Sequence, residues 1–68
     1  MKKILVTGAN GFIGKNVTKK LLESNSVDVY CRELKKDDPS WIKDNHIDQD
    51  ILVSSYKDTL YDYVINCI

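Results

Sequence analysis

Short apolar runs alternate with polar and charged stretches along this chain. The run at residues 3–7 is compact, almost wholly apolar and followed by a glycine, which is typical of a strand buried on both faces of a sheet. Similar runs at residues 27–31 and 63–68 predict two more strands. We also expect a short strand at residues 46–49, between these two. The chain is therefore expected to form four strands.

Helical spacing separates the first two of these strands. Apolar residues recur there at every fourth position, at Ile13, Val17 and Leu21, which predicts an amphipathic helix from about residue 12 to 24. Asp38 followed by proline predicts an N-cap and a short helix over residues 39–44. The spacing of Ser55 and Asp58 is that of a capping box, which predicts a brief helical turn up to residue 60.

Alternation of strands and helices predicts a parallel sheet with helices on its faces. We therefore expect an α/β fold, the first half of a doubly wound Rossmann sheet, in the order β-α-β-β-β with short connecting helices. Trp41 and Ile42 are expected to seal the edge of the core, with base stacking by Trp41 as the alternative.

Charge and composition exclude several classes of partner. The 68 residues carry 10 basic and 10 acidic side chains, and this balance disfavours nucleic acid or an anionic membrane as a partner. The first apolar run is too short for a secretion signal, which needs about 7 residues or more. We expect a cytoplasmic protein in which Cys31 and Cys67 stay reduced, and their spacing to His46 does not suggest a metal site.

All three glycines of the chain lie in the segment TGANGFIG, between the first strand and the first helix. A loop that leads into a helix N-terminus offers unpaired amides and a partial positive charge, both of which attract an anion. We expect Gly8 to make the turn, Gly11 to allow close approach of a pyrophosphate, and Gly14 to let the helix pack near the strand. The segment therefore predicts a dinucleotide site.

A Walker phosphate loop would also place glycines before a helix, but the spacing here disfavours it. That loop needs four residues between its glycine and Gly-Lys, then Ser or Thr. In this chain five residues separate Gly8 from Gly14, and Asn16 stands at the hydroxyl position. A tight strand-to-helix turn that binds nothing remains open as the alternative.

The segment TGANGFIG also resembles the Thr-Gly-x-x-Gly-x-x-Gly signature of extended short-chain dehydrogenases/reductases, the NAD(P)-dependent epimerase/dehydratase family. Asp50-Ile51 resembles the pair that holds the adenine after the family's third strand. Residues 62–67 are similar to the family's fourth strand, which passes under the cofactor. The resemblance and the loop together give these expected cofactor-binding residues: Gly8, Asn10, Gly11, Phe12, Ile13, Gly14, Arg32, Asp50 and Ile51.

The sequence departs from the family at the end of the second strand. Members that use NAD place an acidic residue there to bind the adenosine ribose, whereas this chain has Cys31 followed by Arg32. The departure implies NADP rather than NAD as the cofactor, with Arg32 pairing with the 2′-phosphate. Glu33, one position further on, favours NAD instead. The alternative for Arg32 is a solvated side chain that has no role in binding the cofactor.

The family's catalytic Tyr-x-x-x-Lys does not occur in these 68 residues, because no tyrosine is followed by lysine four positions later. The resemblance therefore implies that residues 1–68 are the N-terminal part of a homodimeric enzyme, cut within its fourth strand and inactive alone. Its substrate would be a nucleotide sugar. Asn66-Cys67-Ile68 and the missing acid of the second strand resemble reductases of the dTDP-4-dehydrorhamnose reductase type, and Gly14-Lys15-Asn16 resembles capsular-sugar reductases. The alternative is a non-catalytic regulator that senses NAD(P).

Overall fold

The structure, a computed structural model, describes residues 1–58 and 60–67. Its elements in chain order are β1 (Lys3–Thr7), α1 (Phe12–Leu22), β2 (Ser26–Tyr30), α2 (Ser40–Lys43), α3 (Gln49–Asp58) and β3 (Tyr63–Asn66). The strands form a parallel sheet in the order β2-β1-β3. The predicted α/β fold with a parallel sheet is therefore confirmed.

The central strand β1 is buried on both faces, as its unbroken apolar run predicts. Ile4 and Val6 belong to a cluster that contains residues of β2, α1 and α2, and Leu5 is fully buried on the other face. In α2, Ile42 is fully buried and Trp41 packs against the same cluster, so these two residues do seal the edge of the core. β1 thereby fixes the place where the chain leaves the sheet and enters the glycine loop.

The predicted third strand is wrong beyond a single residue. His46 forms one parallel bridge to Val29 on the outer edge of β2, and the chain then enters α3 at Gln49. The reason is local: the Asp48 side chain accepts a hydrogen bond from the amide of Ile51 at 2.8 Å, which starts a helix in place of the expected strand.

The predicted helix ends need three further corrections. Ser55 and Asp58 do not open a helix, because α3 begins six residues before Ser55 and includes both. Pro39 is the N-cap of α2 rather than its first residue, and Asp38 does not cap that helix. α1 ends at Leu22, two residues earlier than expected.

Strand β3 ends at Asn66. The sequence predicts a strand up to Ile68, and Ile68 lies outside the described residues. The connection from the bridge at His46 passes from the outer edge of β2 to the far side of β1. Because such crossovers are right-handed, we expect α3 to lie on the face opposite α1. Within the described part of the chain, no helix is long and apolar enough to cross a membrane.

Candidate functional site

The turn from β1 into the glycine loop requires Gly8. Its φ angle is 67°, in the left-handed region where a side chain is strained. Its amide donates to the carbonyl of Tyr30 at 2.9 Å, and its own carbonyl accepts the amide of Gly11 at 3.3 Å. The first residue of the loop is therefore attached to the sheet by its amide and to the rest of the loop by its carbonyl.

Gly14 is required by packing. A Cβ atom built on Gly14 would lie 2.8 Å from the Cα of Ala9 and closer still to the carbonyl oxygen of Gly8. Both neighbours are backbone atoms, and Ala9 is fully buried, so neither can move aside cheaply. The missing side chain lets the first turn of α1 approach the end of β1.

Gly11 is required by neither conformation nor packing. Its φ angle of −76° suits any residue, and a Cβ atom there would meet only the carbonyl oxygen of Gly8, at an ordinary 3.6 Å. A side chain would instead project into the open space before the first turn of α1. This is the arrangement expected where a ligand, rather than the protein, approaches the backbone closely.

The N-terminus of α1 is open. Gly11 is its N-cap, no side chain of the described residues caps it, and its first turn contains no acidic residue. The amides of the first turn therefore lack intrahelical acceptors and carry the positive end of the helix dipole. Phe12 and Ile13 are 85% and 68% exposed, so the region is accessible. Its chemistry suits an anion such as a phosphate group.

Two clefts flank this helix start at the carboxyl ends of the strands, where open parallel sheets bind ligands. The cleft on the β2 side, which we call the first cleft, has a volume of about 370 Å³. The cleft on the β3 side, the second cleft, has a volume of about 430 Å³. The first is lined by Thr7, Gly8, Asn10, Tyr30, Arg32, Glu33 and Lys35. The second is lined by Gly11, Phe12, Ile13, Asn66 and Cys67.

The first cleft contains the residues that follow β2. Cys31 is 3% exposed and belongs to the core, and burial raises the pKa of its thiol. Arg32 is thus the first exposed side chain after β2, and it shares the cleft with Glu33 and Lys35. Two cations and one anion face this cleft, which favours an anionic group at its mouth.

A bridge of side chains joins the two walls of the first cleft. The side-chain amide of Asn10 donates to the carbonyl of Glu33 at 2.8 Å and to Oδ2 of Asp38 at 3.3 Å. The same Oδ2 atom accepts the amide of Lys35 at 2.7 Å. The sequence assigns Asp38 to a helix cap, and no local pattern indicates this connection to Asn10.

The second cleft has its own link across the sheet. The hydroxyl of Thr7 donates to Oδ1 of Asn66 at 2.6 Å, which joins the ends of β1 and β3 beside the glycine loop. The bond uses the oxygen of the Asn66 amide and leaves its NH₂ group as a donor for another partner. Cys67, the next residue in the lining, is a free, half-buried thiol.

Seven of the nine sequence-predicted site residues therefore lie around one loop. Gly8, Asn10 and Arg32 line the first cleft, Gly11, Phe12 and Ile13 line the second, and Gly14 packs beneath the loop. Asp50 and Ile51 lie in the exposed first turn of α3, and within residues 1–58 and 60–67 they line neither cleft. Their predicted contact with an adenine remains a prediction.

Comparison with models of known protein families matches the chain to one family. The model of the NAD dependent epimerase/dehydratase family matches residues 4–68, which include the glycine loop, both clefts and all three strands except Lys3. No solved structure matches the chain. The described residues contain no group of side chains that could hold a metal ion.

Proposed function

The chain belongs to the NAD dependent epimerase/dehydratase family, and we propose that its glycine loop binds the pyrophosphate of NAD(P). The adenosine half occupies the first cleft and the nicotinamide half the second. One observation carries this proposal: Gly11, which the protein needs for neither conformation nor packing, stands beside the open N-terminus of α1. A side chain at this position would obstruct the approach of a ligand to the amides of that first turn.

The residues present fit such a cofactor. Unpaired amides of the first turn of α1 suit the two phosphates, and clefts on both sides provide room for two nucleosides. In doubly wound sheets the adenosine ribose lies near the end of the second strand, which here is the position of Arg32. The bound dinucleotide supplies hydride transfer, and the chain binds and orients it.

We further propose that NADP is preferred over NAD. The first residue after β2 is the buried Cys31 rather than an acid, so no carboxylate at that position repels a 2′-phosphate. Arg32 and Lys35 supply positive charge in the same cleft against the single acid, Glu33. A charge-assisted contact from a guanidinium contributes about 1.5–3 kcal/mol.

The rest of the proposal comes from the family resemblance. We propose that these residues act within a larger homodimeric enzyme, which we call the intact protein, and that its catalytic Tyr-x-x-x-Lys lies beyond residue 68. Its substrate is a nucleotide sugar, and residues 1–68 alone have no turnover. The reductase subtype rests on the similarity of Asn66-Cys67-Ile68, on the missing acid after the second strand and on Gly14-Lys15-Asn16, and it stays a prediction.

Calorimetric titration of the intact protein with NADPH and NADH tests the proposal. We expect NADPH to bind more tightly, and Arg32→Ala to weaken NADPH about 10- to 150-fold while NADH changes little. Lys36→Ala is the matched control, because Lys36 is an exposed cation of the same segment outside both cleft linings. Failure of the intact protein to bind either dinucleotide would contradict the function. Equal binding of the two, or an unchanged ratio in Arg32→Ala, would contradict the cofactor preference.

A further inference from the structure

We propose that Asp38 is a positioning residue for the adenosine end of the cofactor. Through Asn10 it holds the segment that carries Arg32 and Lys35 against the glycine loop, although Asp38 lines neither cleft within the described residues. This inference rests on the proposed function and adds a residue on which recognition of a 2′-phosphate depends without contacting it.

Asp38 joins three separate parts of the chain. Its Oδ2 accepts the amide of Lys35 from its own loop and the side chain of Asn10 from the glycine loop, at 2.7 and 3.3 Å. Its Oδ1 lies 3.8 Å from the Nζ atom of Lys15 in α1. A single carboxylate therefore links the β2–α2 connection to both the loop and the helix that surround the proposed phosphate position.

Burial makes this carboxylate unusual. Asp38 is 5% exposed, and Oδ1 has no hydrogen-bond partner among the described residues. Burying a carboxylate is costly unless hydrogen bonds and opposite charge compensate for lost hydration. Here the compensation comes from Lys35, Asn10 and, more weakly, Lys15. An apolar residue would avoid the cost but would release the loop that these contacts hold.

The contacts also set the position of the cations in the first cleft. Asn10 fixes the backbone at Glu33, and Asp38 fixes the backbone at Lys35, so the intervening segment is attached at two points. Lys35 and Arg32, which directly precedes the segment, both line the first cleft. Loss of Asp38 removes one attachment and weakens the other, because Asn10 then has one acceptor instead of two. The cations are then less well placed for a 2′-phosphate.

Binding of adenosine 2′,5′-bisphosphate and of 5′-AMP to the intact protein tests this inference. These two probes differ only in the 2′-phosphate. We expect Asp38→Ala to weaken the bisphosphate about tenfold and the monophosphate much less. Asp38→Asn keeps an oxygen that can accept from Lys35 and Asn10, so it should preserve the ratio. Asp37→Ala, the exposed neighbouring acid, should keep both affinities within about twofold.

The possible outcomes distinguish a failure of this inference from a failure of the proposed function on which it rests. Wild type that binds neither probe overturns the proposed function, and equal binding of the two overturns the cofactor preference, together with this inference. If wild type prefers the bisphosphate and folded Asp38→Ala keeps that ratio, only the inference is wrong. If circular dichroism shows Asp38→Ala to be unfolded, Asn10→Ala breaks the same bridge from the other side. An unchanged ratio in Asn10→Ala then overturns the inference.

Discussion

Helices α1 and α3 begin in opposite ways. α3 closes its own N-terminus, because Asp48 accepts the amide of Ile51 at 2.8 Å and Asp50 stands in the first turn. α1 begins at Gly11 with neither a side-chain cap among the described residues nor an acid in its first turn. An Asp cap stabilises a helix by roughly a few tenths of a kcal/mol more than a Gly cap, so α1 forgoes a small amount of stability that α3 obtains. The difference indicates which helix start is kept free for a ligand.

Giving α1 an acidic N-cap like that of α3 should have the largest effect, and that effect is on NADPH affinity. Gly11→Asp places a carboxylate where we propose the pyrophosphate, and the backbone and the free space at Gly11 accept the side chain. Because two charge-assisted hydrogen bonds would be lost, we expect NADPH affinity to fall at least about 100-fold. The free energy of unfolding should stay unchanged or rise by less than about 1 kcal/mol.

Calorimetry and urea unfolding of the intact protein measure these two effects separately. Gly11→Asn, which caps the helix without a charge, is the control for the size of the side chain. A Gly11→Asp variant that is fully stable and binds NADPH as well as wild type would show that the open N-terminus of α1 does not hold the cofactor.

Gly14→Ala should instead reduce stability. Its Cβ would lie 2.8 Å from the backbone of Ala9, and overpacking of this kind costs about 1–3 kcal/mol. Gly11→Ala is the matched control, because its Cβ would meet nothing closer than 3.6 Å, and it should cost less than about 1 kcal/mol. Equal unfolding free energies for the two variants in urea would show that close packing of α1 on the loop is not what requires Gly14.

Removing the cap of α3 should have a smaller effect, on stability alone. Asp48→Ala loses the hydrogen bond to the amide of Ile51, which should reduce the free energy of unfolding by about 1 kcal/mol. NADPH affinity should not change, because Asp48 lies in neither cleft lining of the described residues. Asp44→Ala serves as control for loss of an exposed acid. A weaker NADPH affinity in Asp48→Ala would instead show that the start of α3, which includes Asp50, is part of the cofactor site.

The smallest expected effect concerns Asp38, which lies beside α1, and the dependence of the protein's stability on acid pH. The amide of Lys35, more than any other group, lowers the pKa of the Asp38 carboxyl, with Asn10 and Lys15 adding to it, while burial opposes them. A pKa that is lower in the folded than in the unfolded state stabilises the fold above about pH 4. That stability is lost as the pH falls through the lowered pKa.

Asp38→Asn removes the titrating group, so its stability should depend less steeply on pH. Urea unfolding of both proteins at about pH 5 and about pH 3 gives the two differences to compare. A loss of stability on acidification that is equal in wild type and Asp38→Asn would contradict the assigned surroundings of Asp38.

Local signals in the sequence are enough to predict the sheet and the glycine loop. The unbroken apolar run of β1 sets its burial, and the three glycines lie close together in one segment, so each of these signals lies near its effect. In α1 the apolar spacing predicts the helix but not its buried positions, which are Gly14 and Thr18, whereas Ile13 is 68% exposed. The predicted third strand is wrong beyond His46 because Asp48 caps a helix that takes the place of the rest of it. The role of Asp38 cannot be predicted locally, because its partner Asn10 lies 28 positions away and only folding of the whole sheet brings them together.

The hydrogen bonds of the glycine loop have a consequence for the entropy of ligand binding. Gly8 bonds to Tyr30 of the neighbouring strand, Gly11 to Gly8, and Lys15 to Gly11, so the loop is held at each step from the sheet into the helix. Its conformational freedom is therefore lost when the protein folds rather than when a ligand arrives. A preorganised loop of this kind loses little further entropy on binding, so more of the interaction energy with the ligand remains as affinity.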